Sequence, residues 1–239
     1  MIQTIKKQFQ IQWENWIWEL LVIFGAGIFG LGLHWFIVRN DETVDTCFAM
    51  GTVMAIMMVL IFLTMMSFSM LGMYFNVEIS MGCTRMQFFL SYYIFNVVFS
   101  LAGLLAVMAW NLMENRLLEM WYPTMQNEIY FMPYLVKYGL PAAVLIPIVA
   151  IFGGSLVMRY GRKILLVIWV LYMLAALVIP TILEYAEEAP DTIYGRIGVI
   201  VMGIFGKIPV NVWGCLGVVV IAVSFIGSWT ILRKQQVTA

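Results

Sequence analysis

The sequence predicts an all-α polytopic membrane protein with six transmembrane helices, an N-terminal interfacial helix and a re-entrant segment before the sixth span. Three observations carry that prediction. Of 239 residues, 63% are hydrophobic and 11% are charged, less than half of the ~25% charge of an ordinary soluble domain. The mean hydropathy is +0.94. The few charges fall between six long stretches that contain no Asp, Glu, Lys or Arg. A soluble globule of this size cannot hide so much apolar surface, and a chain this hydrophobic does not stay disordered. Thirteen basic residues balance thirteen acidic ones, with no basic block to meet phosphate, so nucleic acid is not an expected partner. Residues 1–239 read as a single transmembrane domain.

The elements follow in order. Ile2, Ile5, Phe9, Trp13 and Trp16 recur at helical spacing, while Gln3, Lys6, Gln10 and Glu14 fall on other faces. Residues 1–16 therefore read as an amphipathic connecting helix lying on the inner membrane surface, with Trp13 and Trp16 at the interface. A plain cytosolic extension of the first span is the simpler alternative. The first apolar run is a full span rather than a short signal core, so no cleavable signal is expected. Span one covers 20–38. It holds Gly25-Ala26-Gly27-Ile28-Phe29-Gly30, which matches the glycine pattern of dinucleotide sites but follows no strand. Close helix packing through small residues such as Ala26 and Gly30 is the expected use. Span two covers 46–77, and 32 residues at ~1.5 Å each exceed a ~30 Å hydrocarbon core, so its inner end is expected to project into the cytosol. Spans three to six cover 86–113, 138–158, 164–183 and 208–232. The apolar piece 197–206 is too short to cross, so 190–207 reads as an extracellular or re-entrant segment. The alternative is an extension of helix six broken at Pro209.

Orientation follows from charge. With both termini inside, the inner segments hold Lys6, Lys7, Arg85, Arg159, Arg162, Lys163, Arg233 and Lys234, against Arg39, Arg116, Lys137, Arg196 and Lys207 outside. That bias predicts cytoplasmic termini. Arg159, Arg162 and Lys163 form a tight second cytosolic loop, which by its charge reads as an ordinary positive-inside anchor.

Candidate chemistry is sparse. No ionisable residue is expected in the middle of a span, so a proton relay has no visible carrier. No Walker A pattern is present. His34 is the single histidine and reads as an interfacial neighbour of Trp35, with no nucleophile in reach. Cys47, Cys83 and Cys215 have no metal-ligand spacing. The chain is not expected to be an enzyme or to bind a cofactor. Eight of its nineteen methionines lie on span two, and Met50, Met54, Met57 and Met58 share one face. Met54 and Met58 are candidates for a cargo path, because flexible thioethers repack around varied apolar surfaces. A lipid-facing or packing stripe is the plainer reading.

Between spans two and three runs Glu78-Ile79-Ser80-Met81-Gly82-Cys83-Thr84-Arg85-Met86-Gln87-Phe88-Phe89. By pattern, region 76–89 is either a short amphipathic helix that docks into a partner's groove or an ordinary turn with Glu78 and Arg85 solvated. This stretch, behind a long second helix, resembles the permease subunits of ABC-2 type ABC exporters, in which a Gly-x-Thr-Arg-x-x-Phe-Phe-like run occurs. Gly82, Thr84, Arg85, Phe88 and Phe89 carry the likeness, and the plan of six spans with an N-terminal connecting helix extends it over nearly the whole chain. The resemblance implies a dimeric permease in a bacterial cytoplasmic membrane, each half bound to a separate ABC ATPase subunit that holds ATP and Mg. It implies a coupling helix at 76–89, with Glu78, Ile79, Met81, Thr84, Arg85 and Phe88 at the ATPase. The members most like it export amphipathic peptides such as phenol-soluble modulins or bacteriocins. A membrane scaffold or immunity protein without transport activity is the alternative function.

Overall fold

The computed structural model describes residues 2–40, 46–123, 126–127, 131–174, 178–188, 192–207 and 209–235. Almost all of this backbone is helical. Helix α1 (Ile2–Ile11) leads into α2 (Trp13–Asn40), followed by α3 (Met50–Ser69), α4 (Leu71–Ser80) and the long α5 (Arg85–Trp121). A short α6 (Phe131–Tyr134) passes through a π turn (Leu135–Gly139) into α7 (Leu140–Tyr160). Then come α8 (Arg162–Met173), α9 (Ile179–Glu188), α10 (Ile193–Lys207) and α11 (Val210–Leu232). Among the described residues, the one strand pairing is a two-residue parallel bridge that sets Thr46 against Gln126 and Cys47 against Asn127. Among the described residues, five helical stretches are long and apolar enough to cross a membrane: Trp13–Asn40, Met50–Ser69, Arg85–Trp121, Phe131–Tyr160 and Gly214–Leu232. Their number and composition make this a multi-pass, all-α membrane protein.

Helix two is not continuous. It breaks at Met70 into α3 and α4. The Ser69 hydroxyl donates back to the Met65 carbonyl, a bond that bends helices. The inner end therefore does not project freely. Leu71, Tyr74 and Phe75 pack into a cluster with Phe88, Phe89, Tyr92, Ile151 and Leu232. The break between α6 and α7 has a similar local cause. Pro141 has no N–H to give the carbonyl four residues back, and the ladder slips into a π turn beside it.

Helix α5 runs eight residues past the predicted end of span three, and its 37 residues reach ~55 Å. A second cluster gathers along it, with Ile23, Val59, Leu63, Phe95, Phe99, Val107 and Trp110. The glycines of α2 meet α3 and α5 directly. Gly27 lies under the Trp110 ring, and a Cβ on Gly30 would stand 2.6 Å from the Gly51 Cα. The close packing thus uses Gly27 and Gly30, while Ala26 is only half-buried.

Predicted span five is divided between α8 and α9, with 175–177 outside the described residues. Region 197–206 lies in α10, which packs on α9 where Gly198 meets the Ile182 carbonyl. At 15 residues α10 reaches only ~22 Å. Pro209 stands at the N-cap of α11 and ends any continuity between α10 and the last helix. Residues 190 and 191, at the start of the predicted re-entrant segment, lie outside the described residues.

Candidate functional site

The turn between α4 and α5 is built residue by residue from the Gly-x-Thr-Arg-x-x-Phe-Phe run. Gly82 has φ +84, a conformation that glycine alone adopts without strain. Its N–H closes on the Ile79 carbonyl and that of Cys83 on the Glu78 carbonyl, which satisfies the end of α4. Thr84 is the N-cap of α5: its hydroxyl accepts from the Gln87 N–H at 3.3 Å, and the Gln87 side chain accepts from the Thr84 N–H. That is a complete capping box. The Arg85 guanidinium donates to the Arg233 carbonyl at the end of α11, where a cation also suits the helix dipole. Phe88 and Phe89 are buried, Phe88 against Phe75 and Tyr92, Phe89 against Phe225 and Trp229.

Region 76–89 is therefore two helix ends and a tight turn, not a separate short helix. The six residues expected at a partner divide by side. Met81 is 63% exposed, Thr84 is exposed, and Ile79 and Arg85 are half-buried. Glu78 and Phe88 face inward. Neither of the two sequence readings of this stretch placed Glu78 there.

Glu78 is held from the N-terminal side. The Gln8 side chain donates to its carboxylate, and Gln12 donates to Gln8. Asn15 donates to the Tyr74 hydroxyl at 3.2 Å. Burial pushes the Glu78 carboxyl up from its ordinary 4.5 to about 7, while nearby Lys7 pulls it partly back. The same polar row corrects the N-terminal helix. Its inward side carries Gln8 and Gln12, with Phe9. The turn at Gln12 separates α1 from α2, and Trp13 and Trp16 both belong to the first turn of α2. Trp13 is 64% exposed and remains available to an interface. Trp16 instead packs edge-on against Phe95 and Phe99. The side chains of Ile2 and Ile5 lie outside the description.

The other predicted positions fall as follows. Arg159 and Lys163 are exposed on either side of Gly161, which takes φ +73 at the α7–α8 turn. The Arg162 side chain lies outside the description. Gln235 reaches the Met158 carbonyl at 3.5 Å, so this turn shares the end of the bundle with the α4–α5 turn, α1 and the end of α11. Met54 is half-buried and Met58 exposed. They lie about half a helical turn from Ile56, Val59, Leu60 and Leu63, which line a cavity of about 260 Å³ between α3, α5 and the π turn.

Three ionisable side chains that lie at or beyond the ends of the apolar runs in the sequence are buried in the bundle. Glu114, the first charge after the third apolar run, caps α3 by accepting from the backbone N–H groups of Gly51 and Thr52, at 2.7 and 2.6 Å, and from the Thr52 hydroxyl. His34 is buried edge-on to Tyr122. Glu19 is buried beside Val59 and Gly103, at the midpoint of α5. Its sequence signal was plain, a lone acid at the mouth of an apolar run, but its depth follows from α2 starting a full turn and more before the run. Among the described residues no group of three or more His, Cys, Asp and Glu could hold a metal. Comparison of the chain with protein-family models, with curated proteins and with solved structures returns no match.

Proposed function

We propose that the protein is the membrane-spanning permease subunit of an ATP-driven ABC exporter. It works as a dimer in a bacterial cytoplasmic membrane with both termini cytoplasmic, and a separate ABC ATPase subunit supplies ATP and Mg. The cargo class is an amphipathic peptide or lipid-like compound. One observation carries the reading: the α4–α5 turn is an exposed handle tied to two other elements and to the core at its end of the bundle. Gly82 and the Thr84 capping box fix its shape. Glu78 ties it to α1 through Gln8, Arg85 ties it to α11, and Phe88 and Phe89 root it in the core. A push on Met81 and Thr84 is thereby delivered to several helices at once, as ATP-driven alternation between two states requires. In this reading α10 is the re-entrant element before the sixth span, α8 and α9 together make the fifth, and Arg159 and Lys163 form a second cytosolic contact. The methionine face of α3, with half-buried Met54 and exposed Met58, turns toward the second permease copy, where a shared cargo path would run.

The test is co-expression with candidate ATPase subunits and purification in lipid. A stable complex with vanadate-sensitive hydrolysis is expected. Arg85→Glu should release the complex or leave hydrolysis unstimulated by cargo, and normal export by that variant would overturn the role of the turn. Replacing both Met54 and Met58 by Ala should change the cargo response of the ATPase without changing its basal rate. Failure to bind any ABC ATPase, with the chain folded, would leave the scaffold reading in its place.

A further inference from the structure

The cavity between α3, α5 and the π turn stays open for local reasons. The π turn widens the backbone over Leu135–Gly139, and the next turn of α7 lines the space with the single methyl groups of Ala142 and Ala143. No Asp, Glu, Lys, Arg or His belongs to the lining. Its two tyrosines, Tyr134 and Tyr138, stack on each other and are more than half exposed, so they form the rim. The one buried polar side chain on the wall is Ser100. It is 1% exposed, and its Oγ has no hydrogen-bond partner among the described residues. Other helical serines behave differently. Ser91, Ser155 and Ser228 each donate to a carbonyl three or four residues earlier. Ser100 forgoes that bond and opens onto the cavity, although a buried hydroxyl left unpaired is costly. Water does not meet the need. A buried water requires two to four polar partners, and a cavity with apolar walls stays dry.

We propose that this cavity binds an uncharged, mostly apolar molecule with a single hydroxyl group, of the class of a medium-chain alkanol. Its hydrocarbon lies against Val59, Leu104, Leu135 and Ala143, and its hydroxyl pairs with Ser100. The cavity measures about 260 Å³. Since one of roughly 150 Å³ accepts a benzene, about ten non-hydrogen atoms fit by proportion. A hydroxyl both donates and accepts, so it pairs with Ser100 in either direction. A charged head finds no opposite charge on this wall and would lose its hydration without compensation. A plain hydrocarbon leaves Ser100 unpaired. The site does not depend on the exporter reading, because it lies within one copy and involves no ATPase.

The experiment uses the full chain in lipid nanodiscs and a photoreactive octanol, with cross-linked positions mapped by mass spectrometry. Cross-links are expected within 56–63, 100–107 and 131–146. Competitors are compared at equal concentration in the membrane. Octanol should protect these positions about fivefold more effectively than octane, as one neutral hydrogen bond allows. Octylammonium and octanoate should protect less well than octanol. Ser100→Ala should keep the cross-links and bring octanol down to the level of octane. Ala142→Leu, which fills the cavity, should suppress the cross-links, and Ala142→Val makes the same test if the leucine variant fails to elute as a folded species. Equal protection by octanol and octane, a preference that survives Ser100→Ala, or cross-links spread over the exposed face of α11 would each overturn the proposal. So would octanoate or octylammonium outcompeting octanol, because the selecting group would then be a charge outside the lining.

Discussion

Glu78 is a carboxyl group taken out of water and given an amide donor rather than a cation. Its folded value of about 7 lies above its ordinary 4.5, so between those values the folded arrangement holds a proton that the unfolded chain releases. Rising pH then costs stability across that window, and the contribution is lost as the pH passes through about 7. The packing of α1 on α4 should be firmest near pH 5 and should loosen toward pH 8. Hydrogen exchange over residues 2–12, corrected for intrinsic chemical rates, reads this directly, and Glu78→Gln should hold protection flat across the range. A wild-type profile that is itself flat would remove Glu78 from the role. Residues of this kind were the least legible in the sequence. The motif Gly82, Thr84, Arg85, Phe88 and Phe89 stood out, and each residue has a local job that its type suits. Glu78 and Glu114 did not stand out as buried, because their partners, Gln8 and the N–H groups of Gly51 and Thr52, lie more than sixty positions away. A charge at the edge of an apolar run looks solvated until the fold brings its partner.

At the scale of elements, apolar run length located the helices and local chemistry decided where they stop. Span two read as one helix because Ser69 is not a recognisable breaker, although its hydroxyl bends the chain at Met70. Span three read as ending at Met113 because the next residue is charged, and α5 continues because that charge caps α3. Small-residue packing was legible as a motif but not in its phase, since only the structure distinguishes Gly27 and Gly30 from Gly25 and Ala26. The phase gives a paired prediction. Gly30→Ala places a methyl 2.6 Å from the Gly51 Cα and 2.7 Å from the Met50 carbonyl, which must push α2 from α3 and should cost about 1–3 kcal/mol. Gly25→Ala meets nothing within 4 Å and should be neutral or mildly stabilising, because alanine suits a helix interior better than glycine by roughly 1 kcal/mol. Unfolding of both variants in mixed detergent, followed by circular dichroism, separates them. Equal behaviour would show that the α2–α3 contact is not made through this face.

At the scale of the molecule, the sequence predicts alternation of the connecting segments between two sides, and the bundle has two ends with different contents. One end gathers α1, the α4–α5 turn, the α7–α8 turn and the end of α11, joined by Gln8 to Glu78, Arg85 to Arg233 and Gln235 to Met158. The other gathers the start of α3, the end of α5 and the pairing of Thr46 and Cys47 with Gln126 and Asn127. Arg85, Arg159, Lys163, Arg233 and Lys234 sit at the first end, which the positive-inside rule predicts to be the cytosolic one. Labelling with a membrane-impermeant maleimide tests the assignment in a background with Cys47, Cys83 and Cys215 replaced by serine. Met81→Cys and Tyr160→Cys, at positions 63% and 57% exposed at the first end, should react in inside-out vesicles and stay protected in intact cells. Met120→Cys, at a position 75% exposed near the end of α5, should do the reverse. Reaction of all three from one side would break the bundle topology itself. A clean inversion would keep the fold but place the α4–α5 turn outside the cell, where no ATPase could push it, and the exporter reading would fall with the orientation.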